Sequence, residues 1–250
     1  MKKAPDKTTI DQIKAHRCIR KFTDQPVDDK TVEALVTTAQ CAATSHYLQA
    51  YSIIHVKDKT TRKTIAQLSG NPAWVEKAPV FLVFCADLTR LDAACRMRGV
   101  VMEKGWTELS VTATVDTALV GQNLLLAAES LGLGGVFIGG IRNDPETVCE
   151  LLKIPDQAYP VFGMCLGWPA HDPPVKPRLP VQAVLFTDHY PAAYDQNTLS
   201  DYDKKVNAYY LHRNDNLREE TWTGQVAAFA SRVIRPGMKA FLEKKGFFLK

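Results

Sequence analysis

The sequence has no cysteine pair in a C-x-x-C arrangement. Its six cysteines (18, 41, 85, 95, 149 and 165) are spread over 250 residues, too sparse for a disulfide scaffold. It also lacks G-x-G-x-x-G: the glycines at 132, 134, 135, 139 and 140 have the wrong spacing. Neither Gly139 nor Gly140 precedes a lysine, so there is no Walker A loop. There is no H-E-x-x-H, no G-x-S-x-G, and no His/Cys cluster with zinc spacing. These absences argue against a Rossmann dehydrogenase, a P-loop NTPase, a zincin and an α/β-hydrolase. They leave room for enzymes whose cofactor carries the reaction. A strong charge bias is missing too. Thirty-one basic against 27 acidic residues leave a formal charge of +4, short of the clustered basicity of a nucleic-acid binder but suited to small anionic ligands. The most apolar stretch, Thr117 to Ala128, is about half the length that spans a bilayer and contains Gln122 and Asn123. Lys2 and Lys3 lead into Ala4-Pro5-Asp6-Lys7, which is no signal-peptide core. The expectation is a reduced, cytoplasmic protein.

What is there reads as alternating helices and short strands. Thr9 with Gln12 has the form of a capping box, opening a helix that runs into His16-Arg17-Cys18-Ile19-Arg20. A second helix starts near Asp28 or Asp29 and carries Val32, Leu35, Val36 and Ala39 on one face. Tyr51 to Val56 reads as a strand, and Thr60 to Ser69 as a helix stopped by Gly70. Pro79 to Ala86 is a continuous apolar run, the pattern of a strand buried on both faces. Residues 88–108 fit neither period and read as a mobile lid. Leu109 to Leu131 reads as a central buried helix ended by Gly132, interrupted by Asp116, Gln122, Asn123 and Glu129. Val136 to Ile138 is a short strand. Asp144 and Pro145 open a helix to Leu152, and Tyr159 to Trp168 is the last strand. A proline-rich, stiff segment follows to Pro180. Two further helices are expected, near Ser200–His212 and Thr223–Lys245. They carry exposed-looking aromatics (Tyr202, Tyr209, Tyr210, Trp222) and little core of their own. The composition shift divides the chain into a core, 1–185, and a helical arm, 186–250.

Three segments carry chemistry. His16-Arg17-Cys18-Ile19-Arg20 places three possible cations in five residues, fit to grip a phosphate or to end a helix in solvent. Gly134-Gly135-Val136-Phe137-Ile138-Gly139-Gly140 flanks a strand with paired glycines. Missing side chains there admit a flat ring to the backbone, or simply make two tight turns. Lys176-Pro177-Arg178 holds two cations apart in the stiff loop, as a phosphate contact or as surface charge. Together they offer an anion clamp from both ends of the chain with a ring platform between. Flavin mononucleotide (FMN), a planar ring with a charged tail, has that shape.

The chain resembles the oxygen-insensitive, NADPH-preferring nitroreductases and the related NADPH-flavin oxidoreductases. The resemblance lies in His-Arg-x-Ile-Arg at 16–20, Phe22-Thr23-Asp24 and Val115-Asp116-Thr117-Ala118. It continues through Ala127–Val136, Ile138-Gly139-Gly140, Cys165–Pro169, Lys176–Pro180 and Tyr209-Tyr210-Leu211-x-Arg213. It implies an α+β fold, with a mostly antiparallel central sheet flanked by helices, in an intertwined homodimer whose C-terminal arm wraps the partner. It places FMN between the subunits. The cofactor would be held by His16, Arg17, Cys18, Arg20, Thr44, Ser45, Phe137, Ile138, Gly139, Gly140, Lys176 and Arg178. NADPH and acceptor would meet His46, Arg213, Arg218 and Arg235. No side chain is needed as a covalent nucleophile, because the flavin is the reacting centre. The implied activity is two-electron ping-pong reduction of nitroaromatics and quinones by NADPH. The alternatives are a reductase releasing free reduced FMN and a flavin-binding sensor without turnover. Two positions depart from the family pattern. His46 replaces a serine, and a glutamine used toward the flavin falls on Pro72, or on Asn71 after a one-residue shift.

Overall fold

The computed structural model describes residues 8–70, 72–213 and 216–250, so Asn71 and Asp215 lie outside the described residues. Contacts group the chain into two compact units, Met1–His171 with Arg235–Lys250, and Asp172–Ile234. Packing therefore divides the chain elsewhere than the composition shift at 185/186, and the last residues return to the first unit.

The first unit is built on four antiparallel strands: β1 (Tyr51–His55), β2 (Val80–Asp87), β3 (Gly134–Ile138) and β4 (Ala158–Gly167), ordered β1-β2-β4-β3. Every residue of β2 is buried, and its alternate side chains enter two different cores. Val80, Leu82 and Phe84 pack with α2 (Asp29–Ala39) and α6 (Thr107–Ser130). Phe81, Val83 and Cys85 pack with α3 (Lys59–Leu68), α4 (Pro72–Lys77), α7 (Pro145–Leu152) and α10 (Met238–Lys244). The result is an α+β fold of helices on both faces of an antiparallel sheet, with β1 and β3 at the edges. Cys85, Cys149 and Cys165 are buried members of these cores. Burial pushes the Cys149 thiol up to about 11 and Cys165 up to about 12, so they pack as protonated, inert side chains.

The helices follow their local signals with a few corrections. Helix α1 (Thr9–Lys14) is capped by Thr8, whose Oγ1 accepts from Asp11 N, so the cap sits one residue before the expected Thr9. Ile10 and Ile13 mark one face, but that face is exposed. Asp28 caps α2 and Asp144 caps α7. Gly132, at φ +85°, ends α6 in the left-handed region where a side chain would be strained. Residues 89–97 of the expected lid form a helix, α5 (Thr89–Met97). At 24 residues α6 is much longer than its most apolar stretch. Among the described residues it is the one helix long and apolar enough to cross a membrane, but half of that window is buried inside the fold. Helix α4 begins at Pro72, whose fixed φ and missing N–H suit a first helical position.

In the second unit, α8 (Gln196–His212) and α9 (Trp222–Ala230) pack on each other. The aromatics expected to be exposed instead form a small core. Tyr202, Val206 and Tyr210 are buried, with Leu179, Tyr209 and Trp222 against them. The expected helix 223–245 is broken, because Arg235 has φ +49° and Pro236-Gly237 separates α9 from α10.

Candidate functional site

After α1 the chain runs extended, and the Ile19 N–H bonds the Gly135 carbonyl at 2.9 Å. Residues 16–20 therefore lie along the outer edge of β3. Backbone groups alternate in direction along an antiparallel strand. Gly135 turns outward to meet Ile19, so Phe137, two residues on, also turns its N–H and C=O away from β4. The segment continues beside the end of β4, where Thr23 N bonds Trp168 O at 2.9 Å and Ala170 N bonds Lys21 O at 3.0 Å. The fold thus joins the segment carrying His16, Arg17, Cys18 and Arg20 to the strand that carries Phe137 and Ile138, through Ile19 and Gly135.

The side chains of this segment have separate tasks. Ile19 is buried under Gly134. Arg20 is exposed, with its guanidinium 5.1 Å from the centroid of the Trp74 ring. Arg17 is half-buried and donates to the Ala15 carbonyl at 3.0 Å. Cys18 packs partly buried against the core. His16 Nδ1 pairs with Glu129 Oε1 at 2.6 Å. Its hydrogen bond with Cys18, then that with Glu129, raise its pKa to about 9 against an opposing desolvation. His16 is thus a cation at neutral pH whose charge is met by Glu129. Because the folded value lies above the ordinary 6.5, the pair's stabilisation is full below pH 6.5 and lost as pH rises through about 9. The melting-temperature difference between wild type and Glu129→Gln is expected to be largest near pH 6 and to vanish by about pH 10. A difference independent of pH would show that Glu129 acts through packing.

The paired glycines serve packing more than access. A Cβ on Gly134 would meet Ile19 Cγ1 at 2.4 Å, and one on Gly135 would meet Leu166 Cδ2 at 2.6 Å and the Cys165 carbonyl at 2.8 Å. On Gly140 it would fall 2.0 Å from the Ser69 carbonyl oxygen. Only Gly139 differs, where the nearest atom is the flexible Arg142 Nη2 at 3.4 Å. The ring-platform reading therefore narrows to the outward backbone of Phe137 and to Gly139. Phe137 leaves part of its ring exposed and meets Phe162 edge-on at 4.9 Å. Arg235 reaches the following turn, where its Nε donates to Asn143 Oδ1 at 3.0 Å.

The polar loop with Thr44, Ser45 and His46 is held from α6. Buried Asp116 accepts Ser45 N at 3.0 Å through Oδ1 and Ala50 N at 3.1 Å through Oδ2. Between these two ties His46, Tyr47 and Gln49 all adopt positive φ, a conformation that is costly without glycine. Thr44 is half-buried, while Ser45 and His46 are exposed. The loop and the 16–20 segment hang from different places on α6. Asp116 and Glu129 are thirteen positions apart, about 20 Å along the axis and about 220° around it. Within one chain, Thr44, Ser45 and His46 are not brought to the β3 edge.

Lys176, Arg178, Arg213 and Arg218 lie in the second unit. Lys176, Arg213 and Arg218 gather on one ring, Tyr210, at 5.1, 4.5 and 4.5 Å from its centroid. Arg178 is exposed on the loop whose Pro177 carbonyl accepts from Tyr202 Oη at 3.0 Å. The sequence reading had no role for Asp116, Glu129, Trp74 or Tyr210. The visible sign for the first two was a carboxylate interrupting an otherwise apolar helix.

The match to known proteins covers both units. The Nitroreductase family model matches residues 13–168, and the model for the family's C-terminal domain matches 176–250. An oxygen-insensitive NADPH nitroreductase of Salmonella typhimurium is 43% identical over 96% of this chain and 98% of its own length. An FMN reductase (NADPH) of Bacillus subtilis is 42% identical over 96% of this chain and 98% of its own. Among solved structures, B. megaterium NfrA1 superposes with a TM-score of 0.92 at 43% identity, over 96% of this chain and 99% of that one. The NADPH:FMN oxidoreductase of Vibrio harveyi, in complex with NAD+, gives 0.88 at 39%, over 97% and 99%. With two family models together spanning nearly its whole length and relatives above 40% identical over 96% of it, this chain belongs to the nitroreductase family.

Proposed function

We propose that the protein is an FMN-dependent NADPH oxidoreductase that reduces nitroaromatics and quinones by two-electron ping-pong transfer, as a cytoplasmic homodimer. The observation that carries the reading is the seating of the 16–20 segment on the outer edge of β3 through Ile19 and Gly135, on the strand that leads to Phe137 and Gly139. Guanidinium groups suit a phosphate, and a backbone edge with no side chain at Gly139 suits a flat heterocycle. The residues therefore fit FMN. Arg17, Cys18 and Arg20 would hold it, with His16 orienting Cys18. Phe137, Ile138, Gly139 and Gly140 would lie along the ring, and the resemblance adds Lys176 and Arg178 on the phosphate side. Bound there, FMN supplies hydride acceptance from NADPH and two-electron donation to an electron-poor acceptor. The chain's own part is to bind, to present a stacking surface, and to place positive charge where the reduced ring is anionic. His46, Arg213, Arg218 and Arg235 serve the donor and acceptor. The relative named as an FMN reductase keeps free flavin among the acceptors.

Two features support the homodimer. Val111, Val115 and Leu119 form an exposed apolar stripe along α6, a face that a monomer would leave in water. The loop at 44–46 is also about 20 Å along α6 from the cation segment. A second copy running antiparallel to α6 would supply that loop to the site.

The purified protein is expected to be yellow and to elute at twice 27.8 kDa. Anaerobic NADPH should bleach the flavin absorbance, and a quinone should restore it. A colourless protein that takes up no added FMN overturns the reading, and a stable monomer that turns over removes its dimeric part.

A further inference from the structure

We infer that Trp74 is a positioning residue for Arg20. Its ring holds the guanidinium beside the 16–20 segment with the charge unanswered, so that it can take the phosphate of FMN. The inference rests on the reading that Arg20 holds FMN, and adds what sets Arg20 in place.

Arg20 is held at both ends of its side chain. Its backbone follows Ile19, which is buried against Gly134 and bonds the Gly135 carbonyl through its N–H. Successive side chains of an extended segment face opposite ways, so Arg20 turns to solvent where Ile19 turns inward. At the far end, the guanidinium carbon is 5.1 Å from the centroid of the Trp74 ring, within cation–π range. That ring is fixed from its other side. Helix α4 packs on α3, and Val75, the neighbour of Trp74, is fully buried in the core against which the indole packs. Trp74 is half-buried, so part of it belongs to the core and part is left for Arg20.

Nothing else holds the guanidinium. Among the described residues no carboxylate pairs with Arg20 and no acceptor takes a hydrogen bond from its side chain. Other arginines of the chain are used differently. Arg62 gives Nε, Nη1 and Nη2 to the carbonyls of Val56 and Ala78, and Arg96 pairs with Asp92 at 3.0 Å. A carboxylate at Arg20 would cancel its charge and fill two of its five N–H groups. An aromatic ring attracts the cation without filling that fork. The matching ligand is a group with paired oxygens and more than one negative charge. A phosphate monoester, at about −1.5 to −2 near pH 7, is such a group, and FMN ends in one. A guanidinium already held in place loses less freedom when it binds. Removing the ring should therefore weaken the phosphate contact and leave the contacts to the flavin ring alone.

The test is fluorescence titration of the full chain with FMN and with riboflavin, which lacks the phosphate. Trp74→Leu should weaken FMN roughly fivefold and leave riboflavin nearly unchanged. Trp74→Phe keeps an aromatic face and should stay within about twofold of wild type for both flavins. Trp74→Met fills more of the site if the Leu variant melts below the assay temperature, and carries the same expectation. In an Arg20→Ala background Trp74→Leu should weaken FMN no further, because the ring acts through the guanidinium. Equal losses for FMN and riboflavin would make Trp74 a packing residue of the core and overturn the inference. So would an FMN loss as large in the Arg20→Ala background as in wild type, or an unchanged FMN affinity in the Leu and Met variants. A wild-type chain that binds neither flavin removes the FMN reading itself. An Arg20→Ala variant that binds FMN like wild type leaves that reading standing, moves the phosphate elsewhere, and overturns the inference.

Discussion

Asp116→Ala is expected to lower the melting temperature by about 10 °C and to weaken FMN binding in the same protein. The carboxylate accepts two backbone N–H groups, from Ser45 at 3.0 Å and from Ala50 at 3.1 Å. Ala50 is fully buried, so its N–H would find no water in place of the lost oxygen. Leaving that donor unmet and cutting the Ser45 tie costs about 2–4 kcal/mol, which in a chain of this size moves the midpoint by about 2–4 °C per kcal/mol. The loop between those donors holds His46, Tyr47 and Gln49 at positive φ, and that strain persists only while both ends are tied. Released, Thr44 and Ser45 would no longer be presented in one place. Asp116→Asn should fare nearly as badly. It keeps the shape but turns one acceptor into an NH2 that faces a donor. Thermal unfolding by circular dichroism and flavin fluorescence titration would measure both effects. An unchanged midpoint in both variants would mean that water reaches these donors. A lowered midpoint with unchanged FMN affinity would remove the 44–46 loop from the cofactor site.

Elements whose signal is local and one-sided were legible in the residues. The unbroken apolar run at 79–86 announced a strand covered on both faces, and both cores of the sheet meet at β2. Asp144 followed by Pro145 announced the start of α7, and Gly132 the end of α6. Where two adjacent residues offered the same chemistry, the reading slipped. Thr8 with Asp11 and Thr9 with Gln12 both have the spacing of a cap, and Thr8 is the one used. Helix α4 is too short for its period to show, and the break before α10 needs Arg235 at φ +49°, which no residue type signals. Tyr202 and Tyr210 looked exposed because the partners that bury them, Leu179 and Trp222, are distant in sequence. The site was legible as residue types and not as partnerships. His16 is separated from Glu129 by 113 positions and Ser45 from Asp116 by 71, and no spacing rule reaches that far. The same limit explains the glycines. A missing side chain is visible in a sequence, but whether it makes room for a ligand or for the protein's own backbone is decided by what folds against it.

Gly140 and Gly139 separate those two uses experimentally. Gly140→Ala would place a methyl 2.0 Å from the carbonyl oxygen of Ser69, with the Ser69 carbonyl carbon at 2.8 Å and Cα at 3.0 Å. All three are backbone atoms, and Ser69 is buried at the end of α3, so no rotamer change relieves the contact. The turn at 139–143 must move as a body, at a cost of about 3 kcal/mol and a midpoint fall of about 10 °C. Gly139→Ala meets only the tip of Arg142 at 3.4 Å, and Gly139 is not at positive φ. Its midpoint should stay within about 3 °C of wild type, since the guanidinium can give way. If a flat ring lies against the backbone at 137–139, the new methyl stands where the ring approaches, and FMN affinity should fall roughly tenfold, about 1.4 kcal/mol. Riboflavin should weaken by the same factor, because the contact is with the ring and not the phosphate. Thermal melts and fluorescence titrations of the two single variants give the comparison. If Gly139→Ala bound both flavins like wild type, residue 139 would be a plain turn residue, and the ring would have to be sought elsewhere along the β3 edge. If instead Gly140→Ala melted like wild type, Ser69 would be free to retreat, and the turn that carries Arg235 through Asn143 would be softer than its packing indicates.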